Sequence, residues 1–102
     1  MIQKDDLGDY SKPGPLTPMG YEKVTALSAA KGLTVPDGAR YARIQAEAQA
    51  VRYKDDGNNP TSTDGLQIKV GPEFELFYDG DLAEIKFLEL AASATLQVLY
   101  YR

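Results

Sequence analysis

The stretch Tyr41–Glu47, which reads Tyr-Ala-Arg-Ile-Gln-Ala-Glu, decides the fold class of this chain. Ala42, Ile44 and Ala46 alternate with polar or charged residues, so that every second side chain is apolar. A period of two is typical of a β-strand with one buried face, because successive side chains of a strand point to opposite sides. The stretch therefore predicts a half-buried strand.

A helix is the alternative for this region, because residues 39–51 are rich in Ala, Glu, Gln and Arg, which are good helix formers. Against the helix, the apolar alternation continues through Ala48 and Ala50. A helix with one buried face would instead repeat its apolar residues about every 3.6 positions. The strand is the preferred interpretation.

The same alternation recurs along the chain in short runs that end at turn-forming residues. Asp55–Pro60, Gly71–Pro72 and Asp79–Asp81 contain the Gly, Pro, Asn and Asp residues that favour tight turns. Short strands separated by such turns predict a sandwich or barrel. Besides residues 41–47, the predicted strands are Tyr21–Leu27, Leu33–Val35, Val51–Lys54, Leu66–Val70, Glu73–Tyr78, Leu82–Leu90 and Thr95–Tyr101.

The alternation also divides the strand residues between a core and an outer surface. Phe77, Leu99 and Tyr101 lie opposite to the inward set in the alternation and are predicted to face outward. Exposed apolar residues of this kind mark a candidate subunit contact. The predicted inward set is Val24, Ile44, Val51, Tyr53, Leu66, Ile68, Phe74, Leu76, Ile85, Phe87, Leu96 and Val98.

Residues 1–20 differ from the rest, because Pro13, Pro15 and Pro18 exclude a helix there. We interpret residues 1–20 as an extended N-terminal arm, with a disordered tail as the alternative. Residues 21–102 are then one domain, and the predicted fold is all-β, a small antiparallel, jelly-roll-like β-sandwich preceded by the arm. The arm carries apolar residues suited to docking on a neighbour: Ile2, Leu7, Tyr10, Leu16 and Met19.

The composition argues against catalysis. The 102-residue chain contains no histidine, no cysteine and no tryptophan. Histidine is the commonest general base near neutral pH, and histidine and cysteine supply most zinc ligands and nucleophilic triads. We therefore expect a protein that is not an enzyme and that has no cofactor and no bound metal.

Charge and hydropathy indicate the class of partner. The formal net charge is −4, and the basic residues form no cluster of the kind that nucleic-acid binding requires. No apolar stretch approaches the length of a membrane span, and residues 1–6 lack the apolar region of a signal peptide. We expect a protein that binds neither nucleic acid nor membrane and is soluble and intracellular when it is made.

Two loops are rich in carboxylates. Asp55–Asn59 offers oxygen ligands, but Pro60 and Thr61 occupy the positions where an EF-hand needs a ligand and its invariant glycine. Turn formation is the preferred role for this loop and for the Asp-Gly turn at Asp79–Asp81. The seven tyrosines are likewise interpreted as strand and interface residues rather than sugar-binding ones. The alternative is a weak cation site or sugar-binding rim formed by Asp56, Asp64, Asp79 and Asp81.

Five segments in the last two-thirds of the chain carry a family resemblance. They are Gly32–Ala39, Ala46–Tyr53, Lys54–Thr61, Phe77–Leu82 and Leu96–Tyr101. In these strand and turn segments the chain resembles small virion structural proteins of tailed bacteriophages. The segments include no catalytic motif, and the first residues of the chain take no part in the resemblance.

The resemblance implies a capsid decoration (cement) or head-associated protein, made in the host cytoplasm and located on the virion. Its implied partners are the major capsid protein or other virion proteins, bound by an arm or by strand edges in many copies. The symmetry of a shell favours a homo-oligomer, a trimer or a dimer. The alternatives are a neck, tail or fibre component, or a carbohydrate- or cation-binding module that uses the Asp-rich loops. The candidate partner-binding residues are Ile2, Leu7, Tyr10, Leu16, Met19, Phe77, Leu99 and Tyr101.

Overall fold

The computed structural model describes residues 15–102 and, before them, the backbone of two short strands. Strands β1 (Gln3–Lys4) and β2 (Tyr10–Ser11) pair antiparallel with each other. Of the predicted arm contacts, Ile2, Leu7 and the side chain of Tyr10 lie outside the described residues.

Two antiparallel sheets form the domain. The four-stranded sheet has the order β3-β9-β4-β7, and the three-stranded sheet has the order β6-β5-β8. This all-β sandwich confirms the predicted fold class, and the helical alternative for residues 39–51 is wrong. Among the described residues, no helix has the length and the apolar character that crossing a membrane requires. The strands are β3 (Pro18–Val24), β4 (Tyr41–Glu47), β5 (Val51–Lys54), β6 (Leu66–Ile68), β7 (Leu76–Tyr78), β8 (Lys86–Glu89) and β9 (Thr95–Tyr101), and a 3-10 helix (Pro72–Phe74) precedes β7.

The core lies between the two sheets and is built from the apolar positions of the alternating strands. Two predicted inward residues are corrected by the structure, because Leu66 is 66% exposed and Phe74 is 44% exposed. Leu66 begins the edge strand β6, and Phe74 lies in the 3-10 helix that starts at Pro72 rather than in a strand. The core residues are Val24, Leu27, Ala42, Ile44, Ala46, Val51, Ile68, Tyr78, Leu82, Ile85, Phe87, Ala94, Leu96, Val98 and Tyr100, with Tyr53 and Leu76 among those partly buried against them.

Several predicted strand limits are wrong. Strand β3 covers residues 18–24 rather than 21–27, and Ala26, with φ 59°, takes a conformation that a strand does not allow. Residues 33–35 form no strand, although Leu33 and Val35 pack against the core. Strands β6 and β8 are shorter than predicted: β6 ends at Ile68, after which Val70 forms only an isolated bridge with Ala46, and a turn at residues 82–84 precedes β8.

A polar side chain closes one side of the core. Glu22 lies on the inward side of β3, where its Oε1 accepts hydrogen bonds from the Tyr100 hydroxyl at 2.6 Å and from the Thr34 backbone N–H at 3.0 Å. Burial, followed by the hydrogen bond to Glu22, raises the pKa of Tyr100 above its usual value, so the phenol stays protonated. Glu22 on β3 thus links Tyr100 of β9 to Thr34, which lies in the connection between β3 and β4.

The start of the described chain is tied to its end. Thr17 donates its backbone N–H to the carbonyl of Arg102 at 2.9 Å, and Arg102 donates to the carbonyl of Thr17 at 2.8 Å. Met19, predicted to lie on the arm, is part of β3 and packs against the core. A truncation that is meant to spare the sheet must therefore end before Thr17.

Candidate binding face

The outward-pointing side chains of the four-stranded sheet form what we call the outer face. The strand register places Tyr21 beside Leu99, Leu99 beside Arg43, and Arg43 beside Phe77. One step along the strands, Gln97 lies between Lys23 and Gln45. The outer face comprises Tyr21, Lys23, Tyr41, Arg43, Gln45, Glu47, Glu75, Phe77, Gln97, Leu99 and Tyr101.

An ion pair occupies the middle of the outer face. Arg43 donates from Nε to Glu75 Oε2 and from Nη2 to Glu75 Oε1, both at 3.0 Å. Gln45 donates from Nε2 to the same Oε1 at 2.9 Å, and Arg43 Nη1 donates to the Tyr101 hydroxyl at 3.3 Å. The bidentate geometry fixes both planar groups, because two parallel bonds define their relative orientation.

The electrostatics of this pair keep both partners charged. The hydrogen bond to Glu75, and then the one to Tyr101, raises the pKa of Arg43 above its usual value. Partial burial raises the pKa of Glu75, but the hydrogen bonds from Arg43 and Gln45 and the charge of Arg43 outweigh it, so that this pKa lies below its usual value. At neutral pH the pair is therefore a neutralised unit.

A second set of bonds orients the neighbouring amide. The Tyr21 hydroxyl donates to Gln97 Oε1, and Gln97 Nε2 donates to Glu47 Oε1 at 2.9 Å. Tyr21 itself is 60% exposed, so its ring stands above the sheet while its hydroxyl is held. The amide of Gln97 is thereby fixed between β3 and β4.

These side chains enclose a groove that we call the polar groove. It has a volume of about 170 Å³ and contains contributions from β3, β9, β4 and the residue before β7. Its walls combine an exposed aromatic ring and an aliphatic side chain with planar hydrogen-bonding groups. The lining residues are Tyr21, Arg43, Gln45, Glu75, Gln97 and Leu99.

Beside the groove, three aromatic side chains form what we call the aromatic end: Tyr41, Phe77 and Tyr101. The rings of Tyr41 and Phe77 are 6.1 Å apart between centroids, with an angle of 38° between their planes. Tyr41 is paired in register with Tyr101. All three side chains are half-buried, so the aromatic end offers ring edges and faces on a rigid support.

The structure brings together three of the predicted partner-binding residues. Phe77, Leu99 and Tyr101 all lie on the outer face, as the alternation predicts, and Leu99 is 41% exposed. Leu16 is half-buried and lies just before β3, apart from this group in sequence. Whether these residues bind a partner stays a prediction.

Asp56 and Asp64 bond within their own loop, whereas Asp55 binds Tyr78 of β7. Asp55 Oδ2 accepts a hydrogen bond from the Tyr78 hydroxyl at 2.8 Å, and Asp56 Oδ1 accepts one from the Asn58 N–H at 3.0 Å. Asp64 accepts from the Thr61 hydroxyl at 3.0 Å. Within the described ranges, no three acidic side chains come close enough to hold a metal ion, so the cation-site alternative gains no support.

The residues that line the polar groove were not identified from the sequence, apart from Leu99. Tyr21, Arg43, Gln45, Glu75 and Gln97 occupy outward positions of alternating segments, which is the signal that the sequence does contain. That signal places each residue on a surface but does not show which strands are neighbours. The groove appears only when β9 is placed between β3 and β4.

The chain was compared with family models, curated proteins and solved structures. None of the three matches it.

The lowered pKa of Glu75 predicts a pH-dependent contribution to stability. A carboxylate whose folded-state pKa is depressed stabilises the fold above its unfolded-state pKa, about 4.5 here, and loses that contribution as the pH falls through the folded-state value. The difference in free energy of unfolding between the wild type and Glu75→Gln should therefore shrink when urea denaturation is measured at pH 3 instead of pH 7. Glu84→Gln, which removes an exposed carboxylate elsewhere, corrects for net charge. A difference that is the same at both pH values would contradict this role of Glu75.

Proposed function

We propose that this protein is a non-enzymatic structural component of a tailed-bacteriophage particle, which binds and stabilises the capsid shell as a decoration protein. The observation that supports this most is the outer face, where aromatic and aliphatic side chains are held outward on a rigid sheet. A chain without histidine or cysteine is better suited to binding than to catalysis. The proposed partner is the major capsid protein or a neighbouring virion protein.

The contact is proposed at the aromatic end and at Leu99. Aromatic side chains dominate the energy of protein interfaces, because they bury a large area with few rotatable bonds. The Phe77 ring packs against that of Tyr41, and the Tyr101 hydroxyl accepts a hydrogen bond from Arg43, so both side chains have less freedom to lose on binding than unsupported ones would. A small contact of this kind gains strength when many copies, or a homo-oligomer, bind one shell together.

The segments that resemble phage proteins support the proposal that the contact lies on this surface. Phe77–Leu82 begins with the outward Phe77, and Leu96–Tyr101 contains both Leu99 and Tyr101. The other residues of Leu96–Tyr101 alternate into the core, where Leu96, Val98 and Tyr100 are buried. The resemblance therefore covers both the inner and the outer side of β9.

The first test is quantitative mass spectrometry of purified particles, normalised to the major capsid protein. A copy number comparable with that of the capsid protein is expected for a decoration protein. A handful of copies would contradict decoration and place the protein in the neck, tail or fibres. Absence from the particle would contradict a virion role altogether.

The second test addresses the contact itself by adding purified variants to shells that lack the protein. The double variant Phe77→Ala/Leu99→Ala is expected to lower the affinity at least about 30-fold, because truncating interface anchors costs about 2 kcal/mol or more. Leu66→Ala, which shortens an exposed residue of the other sheet, is the matched control. Deletion of residues 1–14 tests the arm separately and keeps the pairing of Thr17 with Arg102. Unchanged binding by the double variant would exclude the aromatic end and Leu99 as the contact.

A further inference from the structure

The polar groove has hydrogen-bonding capacity beyond the bonds within the sheet. A glutamine amide has two N–H donors and an oxygen with two lone pairs. The bonds among the described residues use one N–H of Gln45, which points to Glu75, and one N–H of Gln97, which points to Glu47. Each amide therefore offers a second donor and further acceptor capacity next to the other, on strands about 4.8 Å apart.

The groups of the groove are already oriented before any ligand arrives. Arg43 and Glu75 hold each other by two bonds, Gln45 is held by Glu75, and Gln97 is held by Tyr21. Side chains that are fixed in advance lose little conformational entropy on binding, which favours recognition through several weak hydrogen bonds. The groove thus presents a preformed row of mixed donors and acceptors.

The charge of the outer face selects against ionic ligands. Its four charged residues, Lys23, Arg43, Glu47 and Glu75, cancel in formal charge. Arg43 and Glu75 also neutralise each other directly inside the groove. An anion or a cation would lose hydration there without meeting an uncompensated opposite charge, which is unfavourable. A ligand that fits is neutral and rich in groups that both donate and accept.

The walls and the size of the groove further restrict the class of ligand that fits. The ring of Tyr21 is 60% exposed and Leu99 is 41% exposed, so an apolar surface lies beside the hydrogen-bonding groups. An aromatic face packs against the C–H groups of a sugar ring, while the hydroxyl groups of the sugar reach planar polar side chains. The volume of about 170 Å³ is below the roughly 300–1,000 Å³ typical of sites for larger small molecules, and it suits a single sugar unit.

We propose that the polar groove is a binding site for one unit of a neutral saccharide. Arg43, Gln45 and Gln97 donate to its hydroxyl groups, Glu75 and the amide oxygens accept from them, and Tyr21 packs against its ring. This site goes beyond the proposed docking function and does not depend on it. Tyr101 at the aromatic end is four residues from Gln97 along β9, a separation of about 13 Å, whereas Leu99 lies between them and belongs to both surfaces. A partner docked on Leu99 would therefore compete with the saccharide.

The test uses the complete chain and two-dimensional proton–nitrogen NMR, which observes the side-chain amides of Gln45 and Gln97 directly. The probes are glucose, galactose, mannose, N-acetylglucosamine and N-acetylgalactosamine, each titrated separately to high millimolar concentration. At least one probe is expected to shift the two amide signals and those of Tyr21 in a saturable manner. Glucuronate serves as the charged comparison and is expected to bind more weakly than any neutral sugar that shifts these signals.

Variants identify the groove as the site. Gln97→Ala is expected to weaken binding by about 2- to 12-fold, because a neutral hydrogen bond contributes about 0.5–1.5 kcal/mol. Tyr21→Ala is expected to weaken it as well, whereas Leu66→Ala and Phe77→Ala should bind as the wild type does. Undisturbed backbone signals far from the substitution show that each variant is folded. The proposal is overturned if no probe shifts the two amide signals, or if the affinity measured from the Gln45 amide is unchanged in both groove variants.

Discussion

Phe87→Ala is expected to lower the free energy of unfolding by about 3–5 kcal/mol. Phe87 is fully buried, and its ring lies 6.2 Å from that of Tyr53 between centroids. Its backbone also exchanges two hydrogen bonds with Lys31, each at 2.9 Å, so the residue is held in place and the surroundings cannot easily close the cavity. A domain of this size is stable by only about 5–15 kcal/mol, so this single change removes a large part of the total.

The measurement is urea denaturation of the purified variant, with Phe74→Ala as the matched control. Phe74 is 44% exposed, and its described contact is the Lys69 ammonium, 5.6 Å from the ring centroid. Loss of such an exposed cation–π contact costs about 0.5–1 kcal/mol. Equal destabilisation by the two Phe→Ala substitutions would contradict the placement of Phe87 in the core.

Gly65→Ala is also expected to lower the free energy of unfolding, though by less than Phe87→Ala does. Gly65 has φ 124°, a backbone conformation that L side chains rarely adopt, and forcing such a residue there costs about 1–3 kcal/mol. A Cβ at this position would also lie 2.9 Å from the Tyr53 carbonyl oxygen and 3.3 Å from Pro60. Relief of this overlap would move the Gly65 carbonyl, to which Arg52 donates at 2.8 Å. Together these effects predict a loss of at least about 2 kcal/mol.

Gly32→Ala provides the comparison because the same chemical change is expected to have the opposite sign. Gly32 does not have a positive φ, and an added Cβ would find its nearest neighbour, the Ile85 carbonyl oxygen, at an ordinary 3.6 Å. Alanine at such a position stabilises by about 0.4–1 kcal/mol, since it restricts the unfolded chain. The two variants should therefore shift the urea midpoint in opposite directions, and a common direction would contradict the argument.

The alternation in the sequence predicted the fold class and the bounds of β4, β5 and β9. In β4 and β9 buried residues alternate with more exposed ones along the whole strand. The alternation failed to predict burial at the edge of a sheet. Leu66 has the inward position of a strand, but β6 lies at the edge of its sheet, and the side chain stays exposed. An alternation with a period of two shows on which face of the strand a side chain lies. It does not show whether another part of the protein packs against that face.

The candidate site was harder to predict from the sequence than the fold was. Phe77, Leu99 and Tyr101 could be assigned to an outer surface because each is apolar at a polar position of the pattern. The polar residues Gln45 and Gln97 gave no such signal, since a glutamine facing water is unremarkable until its neighbours are known. Their proximity depends on the pairing of β4 with β9, whose partners are separated by about half of the sequence.

The position of β9 has a consequence for biosynthesis. This strand lies between β3 and β4 in the four-stranded sheet, although it is the last of the three to be translated. Until β9 emerges from the ribosome, β3 and β4 each expose the edge with which β9 pairs, so the nascent chain is open to proteolysis and aggregation. Pairing between residues as distant as Val24 and Leu96 also makes folding slow compared with a helical protein of similar length. A ribosome-stalled chain that lacks β9 should therefore behave as an unfolded substrate for chaperones rather than as a partly assembled sandwich.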